Sequence, residues 1–105
     1  MHISIIIPVY NEEENLPLLK RALDNAWTPL KNHTWEVILV DDGSTDSSAE
    51  KIQQIAQSDP EHVIAIYLRR NFGQTAAIAA GIDHAQGDVI VLMDADLQND
   101  PADIP

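Results

Sequence analysis

Four short apolar runs, each ending abruptly in polar or acidic residues and separated by segments with helical spacing, constrain this 105-residue chain more than any other feature. The first, Ile3 to Val9, is β-branched and apolar at successive positions, with Pro8 and the turn-forming Asn11 closing it. A strand apolar on both faces belongs inside a covered sheet rather than on one side of a wet one. Glu12-Glu13-Glu14-Asn15 follows, acidic residues where the positive end of a helix dipole favours them. Leu16, Leu19, Leu23 and Trp27 then recur at helical spacing. Pro17 is tolerable in the first turn, and Thr28-Pro29 predicts the stop.

The same alternation repeats. Trp35 to Val40 is a second strand, ending at Asp41-Asp42-Gly43-Ser44. Thr45 or Asp46 is the expected cap of a helix whose apolar positions are Ile52, Ile55 and Ala56. Asp59-Pro60 turns the chain into a third strand, His62 to Leu68, and Asn71-Phe72-Gly73 opens an alanine-rich helix, Thr75 to Ala85. Gly87-Asp88 stops that helix, and Val89 to Met93 is a fourth strand ending at Asp94-Ala95-Asp96. The order predicts an α/β, Rossmann-like parallel sheet with helices on both faces. Right-handed crossovers of this length collect the strands' carboxyl ends along one edge. There are no repeats and no linker. Because a polar, Pro-containing stretch follows the fourth strand directly, residues 1–105 are expected to be the front half of a larger unit.

Charge narrows the partners. With Lys+Arg 6 and Asp+Glu 17 the net charge is −11, a surface that repels phosphate backbones and anionic headgroups and attracts cations. Nucleic acid and direct membrane docking by this segment are therefore disfavoured. The absence of cysteine excludes disulfides and thiolate zinc sites and gives no sign of an oxidising compartment. The start, Met1-His2-Ile3-Ser4, lacks the basic region of a signal peptide, and Ile5-Ile6-Ile7 is too short to span a bilayer.

Ligands of open α/β sheets bind at the carboxyl ends of the strands, and the rare residues gather there. Tyr10-Asn11-Glu12, Asp41-Asp42, Arg69-Arg70-Asn71 and Asp94-Ala95-Asp96 follow the four strands in turn. Asp94 and Asp96, two apart on a loop, suit one hard cation whose remaining ligands are diphosphate oxygens; the bland alternative is a solvated acidic turn with a cap at Asp96. Asp42 ends the second strand, where such sheets grip a ribose or base, or else belongs to an Asx-turn; for Asp46 the turn-and-cap reading is preferred. Glu12 is either a ligand or an ordinary acid at a helix start. Pro8 and Tyr10 either meet a ligand or close the strand. Arg69-Arg70 either neutralises a substrate diphosphate or salt-bridges the acidic rim. His2, His33, His62 and His84 lack metal-ligand spacing and read as structural or surface residues. Neither G-x-G-x-x-G nor a P-loop is present, which argues against a dinucleotide dehydrogenase and a P-loop ATPase.

Taken together, IIIPVYNEEENL at 5–16, VILVDDGSTD at 37–46, RRNFGQTAAIAAG at 69–81 and VIVLMDADLQNDP at 89–101 resemble the amino-terminal half of a family 2 glycosyltransferase with the GT-A fold. The resemblance is to the branch of dolichyl-phosphate mannose synthase and bacterial polyprenyl-phosphate glycosyltransferases, enzymes of the cell envelope. It implies that Pro8, Tyr10, Glu12, Val40 and Asp42 contact the nucleotide, that Ala95 does so through its backbone, and that Asp94 and Asp96 are the catalytic pair. It also implies that Asp94, Asp96 and Gln98 hold Mg²⁺ or Mn²⁺ on the diphosphate of a GDP- or UDP-hexose. The reaction so implied is inverting transfer of the hexose to a polyprenyl or dolichyl phosphate, at the cytoplasmic face of the membrane. Acceptor-side residues, basic phosphate-binding residues and any membrane helices are then expected farther along the chain, so that these residues bind donor without turnover.

Three other readings compete. A family 2 enzyme acting on a polysaccharide or soluble acceptor shares this donor half, and a non-catalytic nucleotide-binding scaffold does too. A phospho-accepting receiver domain is also a small acidic α/β sheet, but it needs an acidic pair after strand one, an Asp after strand three and a late Lys. Here strand one ends in Tyr10-Asn11-Glu12, strand three ends in arginines, and no Lys follows Lys51.

Overall fold

The switch between two-residue and 3.6-residue periods produces seven elements in the expected order. A computed structural model describes residues 2–27 and 34–95. They form β1 (His2–Val9), α1 (Leu16–Trp27), β2 (Thr34–Asp41), α2 (Ser48–Ser58), β3 (Val63–Tyr67), α3 (Gln74–His84) and β4 (Val89–Leu92). Thr28-Pro29, His33, Asp96 and Gln98 lie outside the described residues.

All strand pairs are parallel and their order is β3-β2-β1-β4. The chain steps outward from β1 through β2 to β3, then crosses back to place β4 on the other side of β1. Successive residues of β1 feed opposite faces, as the pleat requires. Ile5, Ile7 and Val9 pack with Leu16, Leu19 and Leu23 of α1 and Ile52 of α2. Ile6 faces the other way, into a smaller core with Ile38, Val40 and Ala77 of α3. Helices thus cover both faces, α1 and α2 on one and α3 on the other. The alanine-rich composition of α3 allows it to lie close to the sheet. A Cβ on Gly81 would sit 2.5 Å from Ile6 Cγ2.

Two departures from the sequence reading have local causes. Glu12–Glu14 precede α1 rather than opening it, because the Glu12 carbonyl accepts the Asn15 and Leu16 amides at 3.0 and 3.1 Å, a turn that delivers the chain to Leu16. α2 begins at Ser48, later than a cap at Thr45 or Asp46 would place it, because Thr45 is engaged by Asn11. β4 is apolar yet poorly covered, with Val89, Ile90 and Leu92 at 38%, 43% and 49% exposure.

The amino end of the sheet is closed by a buried polar knot. Ser4 stands in register with Glu36 and donates its hydroxyl to Glu36 Oε2. The same carboxylate oxygen accepts the Gln86 amide at 2.8 Å, and the Gly87 amide donates to Ser4 Oγ at 2.8 Å. The α3–β4 connection is thereby fastened to β1 and β2.

Candidate functional site

The carboxyl ends of the strands are built differently, beginning with two loops that hold each other. Asn11 adopts φ 53°, a left-handed conformation that asparagine tolerates better than most residues. This turns its amide side chain toward the loop after β2, where Oδ1 accepts the Thr45 amide at 2.8 Å. In return the Asn11 amide donates to Ser44 Oγ at 3.0 Å and the Glu12 amide to Ser48 Oγ at 2.8 Å. Asp46 completes the clasp by accepting the Glu13 amide at 3.4 Å and the Ser48 amide at 2.9 Å. Burial pushes the Asp46 carboxyl up, but hydrogen bonds from Ser48 and Glu13 outweigh it and hold the group below its ordinary 3.8. Asp46 is thus a turn residue that leads into α2, while the N-cap position itself falls to Ser47.

The loop after β3 is tied to the same platform by Asp42. This carboxylate is only 3% exposed and accepts the Phe72 amide at 2.9 Å and the Gly73 amide at 3.1 Å. Gly43, at φ +70°, lies so close to the Arg70 and Asn71 backbone that no side chain fits there. Asp41 is also buried, accepts the Ser44 amide at 3.3 Å, and is a turn residue.

Between these loops and β4 lies a cavity of about 210 Å³ lined by Pro8, Val9, Tyr10, Glu12, Asp42, Gln74, Asp94 and Ala95. It sits where the strand order reverses, between β1 and its neighbours β2 and β4, the position at which open α/β sheets take ligands. Its three carboxylates are not equivalent. Each Asp42 oxygen accepts one backbone amide, and Glu12 Oε2 accepts the Asn15 side-chain amide at 2.7 Å. Asp94 forms no hydrogen bond or ion pair among the described residues, so its oxygens are open toward the cavity. Asp94 is partly buried, and its carboxylate is a hard-oxygen donor of the kind that Mg²⁺ or Mn²⁺ takes together with ligands from elsewhere. Among the described residues no three acidic or histidine side chains form a metal cage by themselves.

The structure therefore brings together Pro8, Tyr10, Glu12, Asp42, Asp94 and Ala95, six residues proposed from sequence. It does not bring in Val40, whose side chain is fully buried in the α3-facing core; any contact it makes with a ligand falls to its backbone. Asp96 and Gln98 are outside the described residues. Val9 and Gln74 join the wall without having been singled out. Gln74 opens α3 and looks like any solvated helix-start residue until Asp42 is seen drawing residues 72–73 to the platform.

Fold and site define an α/β protein with an open cavity at the strands' carboxyl ends, where such sheets take ligands, bordered by Glu12, Asp42 and Asp94. This chain belongs to glycosyl transferase family 2, whose model matches residues 4–105. It is 52% identical over 103 residues to the undecaprenyl-phosphate 4-deoxy-4-formamido-L-arabinose transferase of Salmonella choleraesuis, covering 98% of this chain and 31% of that protein. The Salmonella typhimurium protein of the same name matches with the same identity and coverage. This chain thus spans under a third of its relatives' length. Among solved structures, the Pyrobaculum calidifontis mannosyltransferase PcManGT in complex with GDP-Man and Mn²⁺ superposes with a TM-score of 0.71 at 28% identity, over 90% of this chain and 27% of that one. S. aureus TarS superposes at 0.76 with 26% identity, over 91% and 17%. The sheet has the GT-A fold, and the receiver-domain alternative is set aside.

Proposed function

We propose that this chain supplies the donor-binding end of a metal-dependent, inverting glycosyltransferase that moves a glycosyl group from a GDP- or UDP-sugar to a polyprenyl phosphate. The observation that carries this reading is the meeting of Asp42 and Asp94, from the ends of β2 and β4, on one cavity wall with Pro8, Tyr10, Glu12 and Ala95. Relatives named for transfer to undecaprenyl phosphate support the acceptor class. The neighbour solved with GDP-Man and Mn²⁺ supports a nucleotide-sugar donor and a divalent ion. The transferred sugar is a hexose or, as in the relatives' name, an arabinose derivative.

Each residue has a task that follows from its surroundings. Tyr10, 43% exposed, offers a ring face on which a base can stack. Asp42 is held rigid by two amides and keeps further lone pairs for a ribose hydroxyl or a base N–H. Asp94, with Asp96 and Gln98 beyond it, is the holder of Mg²⁺ or Mn²⁺. When bound, that ion offsets charge gathering on the leaving nucleoside diphosphate. In the transfer an acceptor phosphate oxygen bonds to the anomeric carbon as the bond to the diphosphate breaks on the opposite face. A phosphate monoester, with a second pKa of about 6, is already largely ionised at neutral pH, so neither Glu12 nor Asp42 is required as a general base.

Among the described residues no helix is long and apolar enough to cross a membrane. In this reading the acceptor-side and membrane-associated parts belong to the rest of the protein, at the cytoplasmic face of the bilayer, and the 105 residues bind donor without turning over. Calorimetric titration with UDP- and GDP-sugars, with and without Mn²⁺, tests the donor site. Binding that requires metal and nucleotide together is expected. Nucleotide binding indifferent to metal would overturn the metal assignment, and no binding of either sugar nucleotide would overturn the site.

A further inference from the structure

The cavity wall is rich in acceptors and poor in donors. Three of its lining residues are carboxylates, and among the described residues that line it only Tyr10 and Gln74 carry a side-chain group able to donate a hydrogen bond. Arg69 and Arg70 supply none there. They line a separate open hollow with Phe72, over whose ring the Arg70 Cζ lies 4.7 Å from the centroid. Gln74 is exposed, and its carboxamide forms no hydrogen bond among the described residues.

The place of Gln74 is set from outside the helix it opens. Asp42 accepts the Phe72 and Gly73 amides at 2.9 and 3.1 Å, and Gly43 packs on the main chain of Arg70 and Asn71. The next residue along the chain is thereby held on the Asp42 side of the cavity. The cavity has two unlike ends: Asp42 and Gln74 on the β2 side, Asp94 and Ala95 at the end of β4, with β1 between them. Two strand spacings, about 10 Å, separate β2 from β4, a span that a nucleoside diphosphate covers. With the diphosphate at Asp94, the base falls at Asp42 and Gln74.

We propose that Gln74 reads the base, donating from Nε2 to its exocyclic carbonyl while Asp42 accepts the adjoining ring N–H. This assignment rests on the donor reading above. Each Asp42 oxygen already accepts one amide, and a carboxylate offers only acceptor positions beyond these. The ring nitrogen that meets it has to carry a hydrogen. Uracil has that edge at N3–H and O4, and guanine has it at N1–H and O6. Cytosine and adenine place a bare ring nitrogen there, so that two acceptors face each other and both stay unpaired. A base not seated against Asp42 gains nothing from Gln74.

The test is calorimetric titration of the 105-residue chain with UDP, GDP, CDP and ADP at saturating Mn²⁺. UDP or GDP should bind about tenfold or more tightly than CDP and ADP, and the tighter of the two identifies the base. Q74A should weaken that nucleotide by about tenfold and change CDP by less than about twofold. Q74E, which keeps the size but removes the donor, should weaken it at least as much. The 4-thiouridine or 6-thioguanosine diphosphate, whose sulfur is a poorer acceptor, should bind the wild type more weakly than its parent does and Q74A equally well. An equal loss for all four nucleotides in Q74A assigns the side chain to the shared ribose or phosphates and overturns the proposal. So does unchanged affinity of Q74A for the preferred nucleotide. Mn²⁺-dependent binding with no preference, or with preference for CDP or ADP, also overturns it but leaves the donor cavity in place. If none of the four binds with Mn²⁺, the donor reading itself fails and base recognition fails with it.

Discussion

Each end of the sheet buries a carboxylate, and the two are used in opposite ways. At the amino end Glu36, 6% exposed, takes the Ser4 hydroxyl and the Gln86 amide and closes the structure around itself. At the carboxyl end Asp42, 3% exposed, also takes two donors, yet it borders a cavity that Glu12 and Asp94 share. Burial and hydrogen bonding alone therefore do not mark a functional acid. In the proposed reading, what marks it is an adjacent void also bordered by Asp94, which has no donor among the described residues. Glu36 is satisfied by its own neighbours, whereas Asp94 has no hydrogen-bond or ion-pair partner among the described residues.

The contrast is sharpest if the two ends fail separately. Glu36→Ala strands the Ser4 hydroxyl and the Gln86 amide and should lower stability by about 3 kcal/mol in urea unfolding, with Mn²⁺-dependent nucleotide affinity of the folded protein unchanged. Asp94→Asn should do the reverse, costing about 100-fold in that affinity, or about 2.7 kcal/mol, while moving the unfolding free energy by less than about 0.5 kcal/mol. A large stability loss in Asp94→Asn would erase the distinction between the ends. Asp42→Asn spans both categories, because an amide replaces one acceptor oxygen by a donor facing a backbone N–H. It should cost about 2 kcal/mol of stability and weaken nucleotide binding as well. Ser48→Ala removes the acceptor of the Glu12 amide and should cost about 1 kcal/mol, with a smaller loss of nucleotide affinity.

The smallest effect is one of pH. Asp46 has its folded pKa held below 3.8, so its contribution to stability is complete above the unfolded value and is lost as pH falls through the folded one. Unfolding midpoints measured between about pH 5 and pH 3 should drop less steeply in Asp46→Asn than in the wild type, because the substituted amide has no proton to gain.

Period and punctuation were enough to read the seven elements, since runs such as Ile3–Val9 and Val37–Val40 have no amphipathic alternative. The strand limits shifted by a residue where main-chain bonds extend the ladder, as at Asp41, which pairs with Tyr67. The start of α2 was harder to read because it depends on Asn11, more than thirty residues earlier in the chain, engaging Thr45. The site followed the same divide. Residues at strand ends could be placed from the topology of parallel crossovers alone, which is why Pro8, Tyr10, Glu12, Asp42, Asp94 and Ala95 converge. Val40 required the pleat phase of β2, which turns its side chain toward α3. Gln74 and the Ser4–Glu36 pair required the register between elements distant in sequence, and no local signal encodes that.

If the cavity takes the proposed donor, the reciprocal bonds between the loops after β1 and β2 bear on any attempt to re-engineer its preference. Asn11, Ser44, Thr45, Asp46 and Ser48 form one unit, so a graft of either segment from another transferase leaves its counterpart with unmatched donors and acceptors. A chimera that changes nucleotide choice would have to import both segments as a matched set, or it would surrender the shape of the pocket before it altered its chemistry.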